Sequence, residues 1–272
     1  MSDELRKILG VLAPYLSDVV IIGGWVPELY RLYDGLTWQT VPSRTTELDV
    51  LVEPRLDPAG RPMLRERLED AGIRPARKEP FPADWMDADS DVTVVEFLMQ
   101  RPGPFNSESP RQIDLQGWLG AILVDDVQVL REFTHLLEVQ IGDERWEVRV
   151  PTLGAWAVGK ALSFGARPAL AEQDPNADKR AKDLVYLRDL VFAGPEVLAQ
   201  VGDDLKAVAS AKSGHSAMKR AVKQLSAPHE STLSNAALRL STRDSRALAT
   251  AHAEIKSAEK FLIEMVNGAM VV

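Results

Sequence analysis

Two carboxylates flank one apolar residue in Glu47-Leu48-Asp49, at the head of an apolar run that ends at Val52. On a strand, side chains at i and i+2 share a face. A strand over 47–52 therefore sets Glu47 and Asp49 side by side, with Leu48 pointing away. Two like charges so close repel unless a cation lies between them. A hard divalent ion such as magnesium answers this, because it takes a few carboxylate oxygens together with substrate phosphates. A solvated acidic strand edge explains an isolated pair more simply, so the neighbours decide. Glu96 sits inside the apolar run Val92-Thr93-Val94-Val95-Glu96-Phe97-Leu98. A charge there is costly unless paired or liganded, or unless it faces outward from a half-exposed strand. Gly23-Gly24 interrupts the run Asp18 to Ile22 and opens onto helical spacing. Glycine at such a junction lets backbone approach a phosphate, and the helix that follows offers free N–H groups.

The elements that must position these residues are legible in outline. The spacing of Leu5, Ile8, Leu9 and Leu12 predicts a helix over 3–14, closed by Pro14. A strand over 18–22, a glycine turn and a helix over 25–33 follow, with Pro27 tolerable in a first turn. Strands are expected over 47–52 and 92–99, and a helix over 61–72 between them. Residues 100–110 hold three prolines and a glycine and read as a loop. Apolar segments near 127–131, 136–141 and 145–150 suit strands, the last two joined as a hairpin through Ile141-Gly142-Asp143-Glu144. From Thr152, a plausible N-cap, the patterns are helical: 152–164, a proline-rich loop over 165–178, 179–191, then further helices after Gly194-Pro195. The expected fold is α+β: a mixed sheet flanked by helices over 1–150, then an all-helical half over 151–272.

Bulk composition narrows the classes of function. The chain has 272 residues, 45% hydrophobic and 26% charged, which suits a globular protein with a real core. No apolar run is long enough to span a bilayer, and the opening residues lack the pattern of a secretory signal, so a cytoplasmic protein without a membrane partner is expected. With no cysteine, disulfides, zinc-thiolate sites and thiol catalysis are excluded. Gly23-Gly24-Trp25 lacks the further glycine of a dinucleotide-binding loop. None of His135, His215, His229 and His252 lies near a serine elbow.

The order strand, Gly-Gly turn, helix, acidic strand and later acidic strand resembles the DNA polymerase β-like nucleotidyltransferase superfamily. Ile21-Ile22-Gly23-Gly24-Trp25 and Arg44-Thr45-Thr46-Glu47-Leu48-Asp49-Val50-Leu51-Val52 carry the likeness. The Arg-Thr lead into the acidic pair is similar to the branch that includes the AbiEii-like and MenT-like toxin nucleotidyltransferases. Pro151-Thr152 before a helix with Lys160, and Lys182-Asp183-Leu184 opening onto Tyr186-Leu187, look like that branch's downstream helices. The likeness spans about 18–192 and leaves the last eighty or so residues without a motif.

The resemblance implies a nucleotidyltransferase-type sheet and transfer of NMP from an NTP to an acceptor hydroxyl. Gly23 and Gly24 would hold the triphosphate. Glu47 and Asp49 would ligate magnesium, and Glu96 would complete the triad and orient or deprotonate the hydroxyl. Lys160 would reach the triphosphate, Asp183 would position that lysine or the nucleotide, and Arg44 and Thr45 would steady the loop or touch phosphate. The first ligand is usually Asp in this family, whereas this chain has Glu47.

The implied acceptors are the tRNA 3′ end, as for a toxin paired with an antitoxin protein, a protein, or an aminoglycoside. A member that has lost turnover and serves as a binding module is the alternative. Lys179, Arg180 and Lys182, and farther on Lys206, Lys212, Lys219, Arg220 and Lys223, offer basic faces for an RNA acceptor. A solvated helix face balanced by Asp203, Asp204 and other acids is the simpler account of them.

Overall fold

The computed structural model describes residues 2–43, 45–53, 56, 60–77, 81–103, 112–116, 119–166, 175–227 and 230–271, with backbone alone for 2, 112, 165–166 and 175–178. Arg44, most of the expected loop over 100–110, residues 167–174 of the expected loop over 165–178, and His229 lie outside the described residues. The chain forms two compact units, Met1–Asp34 with Arg44–Pro151, and Gly35–Ser43 with Thr152–Val272.

The first unit opens with α1 (Ser2–Leu12), which buries Leu5, Ile8, Leu9 and Leu12. Strand β1 (Val19–Ile22) is buried along its length, a one-turn 3-10 helix covers Gly23–Trp25, and α2 (Val26–Leu32) follows. Then come β2 (Leu48–Val52), α3 (Leu64–Asp70), β3 (Ile73–Pro75), β4 (Asp84–Asp87) and β5 (Thr93–Gln100). Next are β6 (Gln112–Asp114), β7 (Gly120–Val124), α4 (Gln128–Glu132), β8 (Thr134–Ile141) and β9 (Glu144–Pro151).

The main sheet is mixed and runs β1-β2-β5-β4-β3. β2 pairs antiparallel with β1 and parallel with β5. The long β5 meets antiparallel β4 through Thr93, Val95 and Glu96, and parallel β7 through Leu98, Met99 and Gln100. β6 closes the far side against β7. Strands β8 and β9 form a separate hairpin, turned at Gly142, whose φ of +63° suits glycine. Tyr30 of α2 ties that hairpin down: its hydroxyl lies 3.0 Å from His135 Nδ1 and 3.1 Å from the Pro151 carbonyl.

Several expectations change. Glu47 lies in a bend just before β2 rather than inside the strand, so strand alternation does not set its direction. Residues 127–131 belong largely to the short helix α4, entered through Asp126 at φ +61°; the apolar strand of that region is β7, just upstream. The short strands β3, β4 and β6 carry too few alternating residues to announce themselves. The helix expected over 61–72 is confined to Leu64–Asp70.

The second unit contains α5 (Leu153–Ala166), α6 (Pro175–Val191), α7 (Pro195–Ser210), α8 (Lys212–Leu225), α9 (Glu230–Asp244) and α10 (Leu248–Val271). Thr152 Oγ1 accepts the Ala155 N–H at 3.3 Å, the N-cap that its hydroxyl suggests. Pro195 begins α7, as suits its missing N–H. α7 buries Val197, Val201, Leu205 and Val208; α10 buries Ala251, Ile255, Ala258, Leu262 and Val266. Both are helical stripes at three- and four-residue spacing.

Residues 35–43 join this unit as a strap. Gln39 N–H donates to the Ala193 carbonyl at 2.7 Å, and Ser43 donates from N and Oγ to Asp189 Oδ2, each at 2.7 Å. Among the described residues, no helix is long and apolar enough to cross a membrane.

Candidate active site

In the first unit the site is a matter of strand register. Asp49 lies opposite Ile22 on one side and Glu96 on the other. Glu96 in turn lies opposite Asp84 of β4. Directly paired residues present side chains on the same face of a sheet, so Asp49, Glu96 and Asp84 form a row across three adjacent strands. Asp84 is absent from the sequence reading. Its strand is four residues long, and an acid in so short a segment gains meaning only from the strand it pairs with.

Burial and neighbouring charge act on Glu96 together. It is half-buried between buried Val95 and Phe97. Desolvation, then the charges of Asp49, Asp84 and Glu47, then a hydrogen bond with Asp84, push its carboxyl up to about 8. All three effects disfavour the ionised form. Glu47 therefore belongs to the same electrostatic group as Asp49, although it precedes the strand. Asp84 Oδ1 is buried and has no hydrogen-bond partner among the described residues.

Above Asp49 the chain turns at Gly23, with φ +73°. A Cβ at this position would lie 1.7 Å from Asp49 Oδ2. No side chain fits there, and few tolerate the backbone angle. Gly24 is buried in the same turn, and Thr45 is half-buried two residues before Glu47.

Oxygen donors in excess negative charge fit a hard divalent cation. Among the described residues, no group of three or more His, Asp or Glu side chains forms a ready-made coordination cage. Magnesium rarely needs one, since one or two carboxylates with substrate phosphates suffice.

In the second unit, α5 and α6 bring Lys160 and Asp183 together, Nζ to Oδ1 at 3.2 Å, with side chains 14% and 3% exposed. Lys160 Nζ also stands 4.9 Å from the centre of the Tyr186 ring, and Lys182 Nζ stands 5.7 Å from it. Trp156 meets the same ring edge-on at 6.2 Å. Lys160 is thus held between a carboxylate and an aromatic face, which fixes an ammonium that would otherwise be a mobile surface charge.

No family model matches this chain, and no curated protein and no solved structure matches it.

Proposed function

We propose that the chain is a magnesium-dependent nucleotidyltransferase, with a nucleotidyltransferase-type sheet, that moves an NMP from an NTP to an acceptor hydroxyl. The observation that carries this reading is the carboxylate row Asp49-Glu96-Asp84, with Gly23 pressed so closely on Asp49 that only glycine fits. The acceptor oxygen attacks the α-phosphorus, the bond to the β-phosphate oxygen breaks, and pyrophosphate leaves. Asp49 and Glu47 would hold magnesium, which supplies charge neutralisation on the phosphates. Burial and then the neighbouring carboxylates keep a proton on Glu96 in the free protein; it would orient the acceptor hydroxyl, and take its proton where a bound cation offsets those charges. Gly23 and Gly24 leave room for the triphosphate. Within the helical unit Asp183 fixes the Lys160 ammonium, and it is the resemblance that gives this lysine its role toward the triphosphate. Thr45 would steady the loop before Glu47 or touch phosphate, and the resemblance gives the same role to Arg44, which lies outside the described residues.

The test is incubation with each α-labelled NTP, magnesium and total RNA, with protein and an aminoglycoside as parallel acceptors. Label should pass to one acceptor class and disappear with Asp49→Ala. Label that survives this substitution, or no label on any acceptor, overturns the reading. Label at a tRNA 3′ end would fit a cytoplasmic toxin governed by an antitoxin. A binding module without turnover is the second reading. It is favoured by Glu47 lying outside β2. Magnesium-dependent nucleotide binding without any transfer would select it.

A further inference from the structure

Helix α8 stands apart in this acidic chain. It carries Lys212, Lys219, Arg220 and Lys223 and has no Asp or Glu, whereas the whole protein has a net charge of -8. All four cations are exposed. Among the described residues, Lys212, Lys219 and Lys223 make no ion pair or side-chain hydrogen bond.

The acids nearest in sequence do not balance them. Asp203 is engaged by Lys206 at 2.8 Å. Asp204 is 5% exposed, accepts the Gly154 N–H at 3.1 Å and the Gln200 side-chain amide at 2.8 Å, and so faces the interior. On α10, Glu254 accepts from Arg188 and Arg246. Opposite the basic residues, Gly214, Ala217, Met218, Ala221 and Leu225 are buried. The face is therefore rigidly mounted and chemically uniform.

We infer that the exposed face of α8 docks on the phosphodiester backbone of an RNA. Lys219 and Lys223 are one helical step apart, about 6 Å along the axis, and Lys212 continues the row. Such a row can meet successive phosphates, and phosphate contacts are among those by which A-form RNA is recognised. Lysines on flexible stems act as point charges for phosphate. Beside them lie Ser213, Ser216 and Gln224, with no exposed aromatic or large apolar side chain on the helix. Protein interfaces are depleted in lysine and depend on buried aromatic and arginine anchors, so an acidic protein is the poorer match. The inference concerns the helical unit alone and does not rest on the transfer chemistry.

The experiment measures fluorescence anisotropy of a labelled RNA hairpin with the full chain, without NTP or magnesium, between 50 and 200 mM salt. The triple variant Lys212→Gln, Lys219→Gln, Lys223→Gln should bind at least ~10-fold more weakly at low salt. Its salt slope should fall by about 3. Because the three side chains are exposed and unpaired, its melting curve should match that of the parent. A second triple variant, Lys206→Gln, Lys256→Gln, Lys260→Gln, should bind as the parent does.

Unchanged affinity in the α8 variant overturns the inference. Equal loss in the second variant also overturns it, because total charge rather than this face would then be responsible. Tighter binding of a DNA duplex of the same sequence overturns the assignment to RNA. Stronger competition by polyglutamate than by unlabelled RNA assigns the face to an acidic protein instead. Asp49→Ala should leave the binding intact, which separates this test from that of the transfer reaction.

Discussion

The space a side chain at Gly23 would need is filled by the Asp49 carboxylate, and this makes Gly23 an exacting position of the first unit. Gly23→Ala would force a Cβ to within 1.7 Å of a carboxylate oxygen and hold alanine at φ +73°. The left-handed backbone alone costs about 1–3 kcal/mol, and displacement of Asp49 by an ångström or so is expected to lower the proposed NMP transfer by about 100-fold. Single-turnover rates of the variant against the parent check this. Glu96 gives a pH signature. Between the ordinary carboxyl value of 4.5 and about 8, the folded protein keeps a proton on Glu96 that the unfolded chain releases. Stability of chelator-treated protein therefore falls as pH rises through that window. Glu96→Gln removes this dependence, so its melting temperature should exceed that of the parent by on the order of 5 °C at pH 8.5. The gap should close toward pH 4.5. A gap independent of pH would show that Glu96 ionises normally in the folded state.

Among the elements, the pairing of α5 with α7 depends on absence of bulk. A Cβ at Gly154 would come 2.6 Å from Asp204 Cβ and 2.8 Å from the Leu205 backbone nitrogen. The Gly154 N–H, one of the donors left free at a helix start, is satisfied by Asp204 across that same contact. Gly154→Ala should destabilise the protein by about 1–3 kcal/mol through overpacking. Gly268 in α10 meets nothing within 4 Å and is exposed, so Gly268→Ala should stabilise by up to ~1 kcal/mol through helix propensity. Denaturant unfolding of the two variants provides the comparison. Both glycines lie inside helical sequence patterns, and nothing in the local sequence separates them. The difference lies in what packs above each.

At the scale of the whole molecule, the chain order and the compact units diverge. Residues 35–43 follow the glycine turn and helix α2 in sequence yet belong with the helical unit. Asp189, 1% exposed, accepts from Ser43, Arg188 and Arg243. Removing it leaves two guanidinium groups without this carboxylate, and Asp189→Ala should cost about 3–5 kcal/mol. It should also speed limited proteolysis between residues 35 and 43, which mass spectrometry of the fragments would locate. An unchanged cleavage pattern would mean that the backbone bond from Gln39 to Ala193 holds the strap unaided.

The sequence alone determined whatever has a short period or a local rule. Helices α1 and α5, strands β1 and β5, and the β8–β9 hairpin follow from apolar spacing, caps and turn residues, because those forces act between residues a few positions apart. Glu47, Asp49, Glu96 and the Gly23-Gly24 turn stood out for the same reason, as charges or glycines inside apolar runs. Tertiary structure decided what depends on register and packing between distant segments. It set Asp84 beside Glu96, took Glu47 out of the strand and turned Asp204 inward, leaving the lysines of α8 without the partner that proximity in sequence suggested. Strand pairing and helix packing are settled by the burial of whole faces, and that information is spread over the chain rather than written at any one residue.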